Sequence, residues 1–259
     1  MLGNIWNTVL YEPLLNALAF LVSILPGADI GLAVIALTLL VKIILLPLSH
    51  RSIESQAEMN MLAPELNKIK TSGASKEEQA RQTFELYKKH KVNPFSGCLL
   101  VLIQIPIIFA LYYVFLRGLS FENGYLYSFI HVPAQVNMIF LGLIDLTGKS
   151  IVLAVLAGVS QYAQAHFMPA RIATRSVAGG PKPDFSESFA KSMHLQMKYV
   201  FPFIVAFIAY SISGAVALYW ITSNVFMTVQ QVYVKKKEFS PDAKPRILDQ
   251  DRDKLDQHK

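Results

Sequence analysis

The chain has 259 residues, of which 53% are hydrophobic and only 16% charged, with a formal net charge of +6. Soluble domains average about 25% charged residues, so this composition excludes an ordinary soluble globule and points to an integral membrane protein. The one cysteine, Cys98, excludes an intramolecular disulfide and any multi-cysteine zinc or iron–sulfur site.

Residues 1–29 contain neither Lys nor Arg. Without a basic n-region or a small-residue cleavage site, they do not read as a removed signal peptide. Their apolar run, 14–25, is short for a span, so 1–29 reads as an extracytoplasmic amphipathic segment lying in the membrane interface, with a sixth span as the lesser alternative. Five longer apolar segments follow, at about 30–49, 95–116, 150–169, 199–213 and 215–234. The fourth is near the lower limit of about 17 residues for a spanning helix. Lys198 at its start can lift its ammonium to the interface.

Charge fixes the expected orientation. Of the 24 Lys and Arg residues, 21 fall in segments 50–94, 170–198 and 235–259. Five spans put these three segments on one side, and the positive-inside rule then places the N-terminus outside and the C-terminus in the cytoplasm.

Segment 50–94 is longer than a usual helix–helix connection and has helical patterning, with Met59, Leu62, Leu66 and Ile69 three or four residues apart. Pro64 interrupts this run and opens or kinks a helix. Ser75 and Glu78 form a capping-box pattern for a second helix, with Ala80, Phe84 and Tyr87 on its apolar face. Asn93-Pro94 ends it. The expectation is a charged cytoplasmic helical hairpin. Residues 117–149 read as an outer loop carrying Phe121, Tyr125, Tyr127, Phe129 and His131; 170–198 as a flexible inner loop; and 235–259 as a polar, disordered cytoplasmic tail.

No catalytic constellation is visible: there is no phosphate-binding loop, nucleophile elbow, zinc-protease motif or dinucleotide fingerprint. The six histidines are scattered, and none pairs at metal-ligand spacing. The chain reads as a non-enzyme without cofactor or metal. The informative residues are polar groups inside the spans. Lys42 is the single charge in the first span, where it costs roughly 2.5–3.5 kcal/mol at the bilayer centre. It must face protein, water or a partner rather than lipid. Thr38 lies one helical turn before it; Gln104 lies deep in the second span, Gln161 and Gln164 in the third, and Tyr219, Trp220, Thr222, Ser223 and Asn224 in the fifth. The nearest acids, Asp29, Glu54 and Glu58, lie toward the span ends, which favours a hydrated charge over a structural salt bridge. Two functional classes fit such a charge: a site that attracts acidic groups of a polypeptide, or a small-solute anion transporter or channel that uses Lys42 as its binding charge. No inverted repeat supports the transporter.

Three motifs in order carry a family resemblance. They are GLAVIALTLLVKIILLPL at 31–48; KVNPFSGCLLVLIQIPI at 91–107 with ALYY at 110–113; and SGAVALYWITSN at 213–224 with the glutamines 230–231. With the charged hairpin between the first two, the chain resembles the YidC/Oxa family of membrane protein insertases, in a small bacterial form without a large periplasmic domain. The resemblance implies an all-α integral membrane fold: five transmembrane helices around a hydrophilic groove, with an N-terminal interfacial helix and a cytoplasmic hairpin. It implies insertion and chaperoning of nascent membrane proteins at a bacterial inner membrane, with lateral release into the lipid bilayer and no nucleotide hydrolysis. Lys42 falls where the family usually carries arginine, and Thr38, Gln104, Tyr219 and Trp220 fall at groove-facing or substrate-contacting positions. The Sec translocon and the ribosome are the further partners it points to. Sequence-specific nucleic-acid binding is not among its implications.

Overall fold

The computed structural model describes residues 6–93, 96–116, 125–133, 135–168, 192 and 195–238. Most of the inner loop 170–198, the tail beyond 238, Phe121, His194, His258 and the surroundings of Cys98 lie outside the described residues. Two compact units are present.

The first unit comprises residues 1–46, 101–166 and 198–227. A π-turn at Asn7–Tyr11 leads into helix α1, Glu12–Ile24. Pro13 cannot donate an amide to the turn before it, and that turn widens accordingly. The same device recurs where the π-turn Gln196–Val200 precedes Pro202 in helix α8, Phe201–Ser211. Residues 7–24 thus form one helical run, long and apolar enough by length and composition to cross a membrane. That property is what a sixth span, the alternative to the interfacial reading of 1–29, requires. Leu15, Leu18, Ala19 and Val22 form its buried stripe, and Phe20 and Ile24 are exposed.

Helix α2, Ile30–Ile44, packs against α1. The span expected over 30–49 is not one helix. It breaks at Leu45, and helix α3 runs Leu46–Met61. Pro47 explains the break, because it lacks an N–H and its ring crowds the carbonyl four residues back. Helix α6, Ser96–Leu116, matches the second expected span and carries Pro106 internally. A short hairpin of β1, Ile139–Phe140, and β2, Ile144–Asp145, precedes helix α7, Ile151–Phe167. Helix α9, Gly214–Glu238, begins where Gly214 donates to Gly148 O and Ala215 donates to Leu146 O, so the loop supplies acceptors that a free helix start lacks. Helix α9 also runs four residues past the expected end of the last span.

The core of this unit is rich in small residues: Ala19, Ala33, Ala154, Ala157, Ala209, Ala215 and Ala217 are buried. Small residues let helix backbones approach closely in a lipid medium. Gly158 marks a close approach of two helices, since an added Cβ would lie 3.0 Å from Pro202 O and 3.1 Å from the Ala206 Cβ. Gly158→Leu is therefore expected to force α7 and α8 apart and to destabilise the bundle by about 1–3 kcal/mol. A lowered thermal unfolding midpoint in detergent checks this. The outer faces are the reverse of a soluble protein's. Ile43, Phe109, Val155, Val159, Phe203 and Phe207 are all exposed. Large apolar side chains exposed in this number mark contact with lipid or a partner.

The second unit comprises residues 47–100, 167–197 and 228–259. Helix α3 carries the His50–Glu54 pair at 3.1 Å. Ser49 exchanges two hydrogen bonds with Gln230, at 3.1 and 2.8 Å. Helix α4, Ala63–Lys70, starts with Pro64 in its first turn, and helix α5, Lys76–Lys89, packs against it. Leu62, Leu66, Leu86 and Val92 form their shared core. The expected helical hairpin is therefore present. Ser75 caps α5 by accepting from the Glu78 amide at 3.2 Å. The reciprocal half of the capping box is not made. Glu78 instead accepts from Arg81 and Gln82, which lie one turn ahead on the same face.

Candidate functional site: a polar ladder around Lys42

Within the first unit, Lys42 on α2 is buried, with 6% of its surface exposed. Its ammonium donates to Gln104 Oε1 on α6 at 3.1 Å. The Gln104 amide in turn donates from Nε2 to the Tyr219 hydroxyl on α9 at 2.6 Å. Tyr219 also shares a hydrogen bond with Ser223, one turn further along α9. The amide orientation follows from chemistry: an ammonium only donates, so the glutamine carbonyl must face Lys42. Among the described residues no carboxylate pairs with Lys42. Helix rise of about 1.5 Å per residue separates it from Asp29 by about 20 Å along α2. An ammonium carries three N–H donors, and Gln104 accepts one of them.

A second polar cluster adjoins the first through α9, where Trp220 and Asn224 occupy the positions next to Tyr219 and Ser223. Trp220 Nε1 donates to Gln161 Oε1 on α7 at 3.2 Å. Asn224 Nδ2 donates to the same oxygen at 3.2 Å and to Ser160 Oγ at 3.1 Å. Gln161 Nε2 donates to Gln164 Oε1 at 3.1 Å. Side chains at i and i+4 share a helix face, so α9 presents one pair to Gln104 and the adjacent pair to α7.

Of the five residues singled out from sequence, Lys42, Gln104 and Tyr219 join in one chain, and Trp220 lies in the neighbouring cluster. Thr38 is separate: it is buried, and its hydroxyl donates to Val34 O at 2.6 Å on its own helix. Such back-bonding is a common resource for an intrahelical threonine. Two polar anchors lie outside that set of five. Asn16 on α1 is buried, donates to Tyr125 O and accepts from Tyr127 N, at 2.8 and 2.7 Å. Asp29 accepts from Gly31 N, Leu32 N and Leu141 N. A polar residue inside an apolar run was the available signal for Asn16.

A mostly helical bundle with exposed apolar side chains and a cation–amide–phenol chain inside points to a membrane protein with a polar interior. Comparison with known proteins makes the class specific. The model of the family described as "60Kd inner membrane protein" matches residues 21–241. The membrane protein insertase YidC of Fusobacterium nucleatum is 34% identical over 234 residues, covering 88% of this chain and 98% of that protein. That of Clostridium tetani is 33% identical over 238 residues, covering 90% and 94%. The crystal structure of an active YidC insertase with its first transmembrane domain resolved superposes with a TM-score of 0.54 at 23% identity, covering 86% of this chain and 45% of that one. At that identity the match speaks to the fold. The chain belongs to the YidC/Oxa family of membrane protein insertases and has its all-α fold.

Proposed function

We propose that this protein is an insertase and chaperone for nascent membrane proteins at a bacterial inner membrane, working through a positively charged hydrophilic groove. The observation that carries the reading is Lys42: a buried ammonium held by a neutral amide, with no acidic partner among the described residues. In a structural salt bridge the charge is already neutralised. Here Gln104 and Tyr219 orient the cation and leave its charge for an incoming acidic residue or a helix C-terminal carbonyl.

The core, residues 30–234, is read as five spans with the N-terminus outside and the C-terminus in the cytoplasm; hairpin 50–94 and tail 235–259 lie on the inner side, and segment 1–29 at the outer interface, because a sixth span over 7–24 would bring to the inner side an N-terminus with no Lys or Arg. Insertion then proceeds without nucleotide and without a bond-making step, and hence without a catalytic residue. A polar outer tail enters the groove, Lys42 offsets its acidic charge, and the apolar segment leaves sideways into lipid, driven by burial at about 25 cal/mol per Å². Binding is weak by necessity, because a tightly held segment could not depart. Lys42, Gln104, Tyr219, Trp220 and Thr38 form the substrate-facing set. In this set Tyr219 and Gln104 orient Lys42, and Thr38 supplies packing. The Sec translocon and the ribosome are partners the family reading suggests.

Reconstitution tests this. Purified protein in liposomes is expected to protect a small single-span substrate with an acidic N-terminal tail from external protease, whereas empty liposomes leave it digested. Absence of protection across several substrates, accompanied by chloride or phosphate flux, would move the assignment to an anion transporter.

A further inference from the structure

We propose that one end of the α7–α8 pair is a binding site for the headgroup of an anionic glycerophospholipid. Four side chains meet there. The Tyr162 ring stacks on His166, with centroids 6.1 Å apart and planes at 30°, and lies 6.2 Å from the Tyr199 ring. Lys198 Nζ sits 5.3 Å over the Tyr199 ring. Tyr162, His166 and Tyr199 are exposed, and Lys198 is partly so. Tyr and Lys are the residues that suit a membrane interface.

Charge selects the ligand. Neither α7, nor α8, nor the turn 196–200 contains an aspartate or glutamate, and among the described residues Lys198 makes no ion pair. Among the described residues the cation rests on an aromatic face, and that ring packs against a second phenol, Tyr162. This set fits a phosphodiester: one positive charge for the phosphate, and hydroxyl donors for its free oxygens.

The adjoining surface selects lipid over a soluble anion. From Tyr162 an exposed stripe runs back along α7 through Val159, Val155 and Val152. From Tyr199 another runs along α8 through Phe203 and Phe207. Ten residues of α7 cover about 15 Å, which is half of a hydrocarbon core of about 30 Å. Two apolar lanes of one leaflet's depth, starting at a cationic rim, match a phosphate carrying two acyl chains. The opposite end of the pair is less suited. Lys149 lies 5.6 Å over the Tyr210 ring there, but Asp145 precedes it in the same loop.

Native mass spectrometry of the full chain in detergent tests the site, using phosphatidylglycerol and phosphatidylcholine with identical acyl chains. One basic residue at an anionic surface is worth about fivefold in binding. The wild type is expected to retain phosphatidylglycerol at least fivefold over phosphatidylcholine. Lys198→Gln combined with Tyr199→Leu should erase that preference, Lys198→Gln alone should reduce it, and Lys149→Gln combined with Tyr210→Leu should leave it. The single substitution removes only a charge from a rim position, so it stays informative if the double variant folds poorly. Equal retention of both lipids by the wild type, or a preference unchanged in Lys198→Gln, would overturn the proposal. So would displacement of the lipid by millimolar inorganic phosphate, which would mean a soluble anion site.

Discussion

Lys42→Glu is expected to abolish protein-dependent insertion of a substrate with an acidic tail, Lys42→Met to slow it by about tenfold to a hundredfold, and Lys42→Arg to retain it. The range comes from two opposing terms. An acidic residue at the centre of a bilayer costs roughly 2.5–3.5 kcal/mol. A cation about 4 Å away, in a medium of effective dielectric about 20, returns about 4 kcal/mol. One positive charge can therefore offset one transiting carboxylate, and removing it restores up to the full cost. Every 1.4 kcal/mol is a factor of about ten, and hydration of the path takes the effect down toward the lower figure. Glutamate goes further, because any ionised fraction repels the tail. The local hydrogen bonding can survive the reversal. Gln104 can turn its amide to donate to the introduced carboxylate, since the Tyr219 hydroxyl 2.6 Å from it can either accept or donate. Arginine keeps the charge while changing its shape to a planar fork. The discriminating control is a substrate with a neutral tail, for which all four proteins should perform alike. A loss of insertion equal for acidic and neutral tails would make Lys42 a structural residue.

The helices were legible where long apolar runs made them so, and less so where backbone chemistry intervenes. Segments 95–116 and 150–169 correspond closely to α6 and α7, because a span needs a continuous run and little else. The break at Leu45 was hidden by apolar side chains on both sides, although Pro47 held the information. The candidate site shows a similar division. Lys42 and Gln104 each stood out as polar groups in apolar runs, but 62 residues separate them, and only the packed bundle makes them partners. Tyr219 and Trp220 are adjacent in sequence yet enter different clusters, because neighbours on a helix point about 100° apart. Thr38 shares the face of Lys42 as the spacing implied, but its hydroxyl is taken up by its own backbone. Asn16 is tied to backbone groups 109 and 111 residues away, a pairing no local pattern encodes.

Asp29→Ala is expected to be the most destabilising single substitution outside the Lys42 ladder, by about 2–4 kcal/mol. Asp29 is 5% exposed and holds three amides at once. Its Oδ1 accepts from Gly31 N at 2.8 Å and Leu32 N at 3.2 Å, capping α2. Its Oδ2 accepts from Leu141 N at 2.8 Å. Leu141 has φ of 52°, a left-handed backbone that a leucine rarely adopts, in the turn of the β1–β2 hairpin. Loss of the cap costs about 1 kcal/mol. The amide of Leu141, left without its acceptor, adds about 1–3 kcal/mol, and the unfavourable turn is then free to relax. The hairpin is also seated on α2 through Gly31, over which the Phe140 ring lies so closely that a Cβ would overlap it. Release of Leu141 should therefore loosen the hairpin as a whole. At about 2–4 °C per kcal/mol for a chain of this size, the unfolding midpoint in detergent should fall by about 10 °C. Residues 138–146 should become sensitive to added protease. Asn keeps an oxygen for the helix cap but turns an NH2 toward Leu141, so Asp29→Asn should fall between wild type and alanine. An alanine variant that melts with the wild type and stays protease-resistant would show that the hairpin holds its place without Asp29. Insertion by Asp29→Ala, assayed well below its midpoint, should match the wild type, because the carboxylate acts on the scaffold about 20 Å from the charge that meets the substrate.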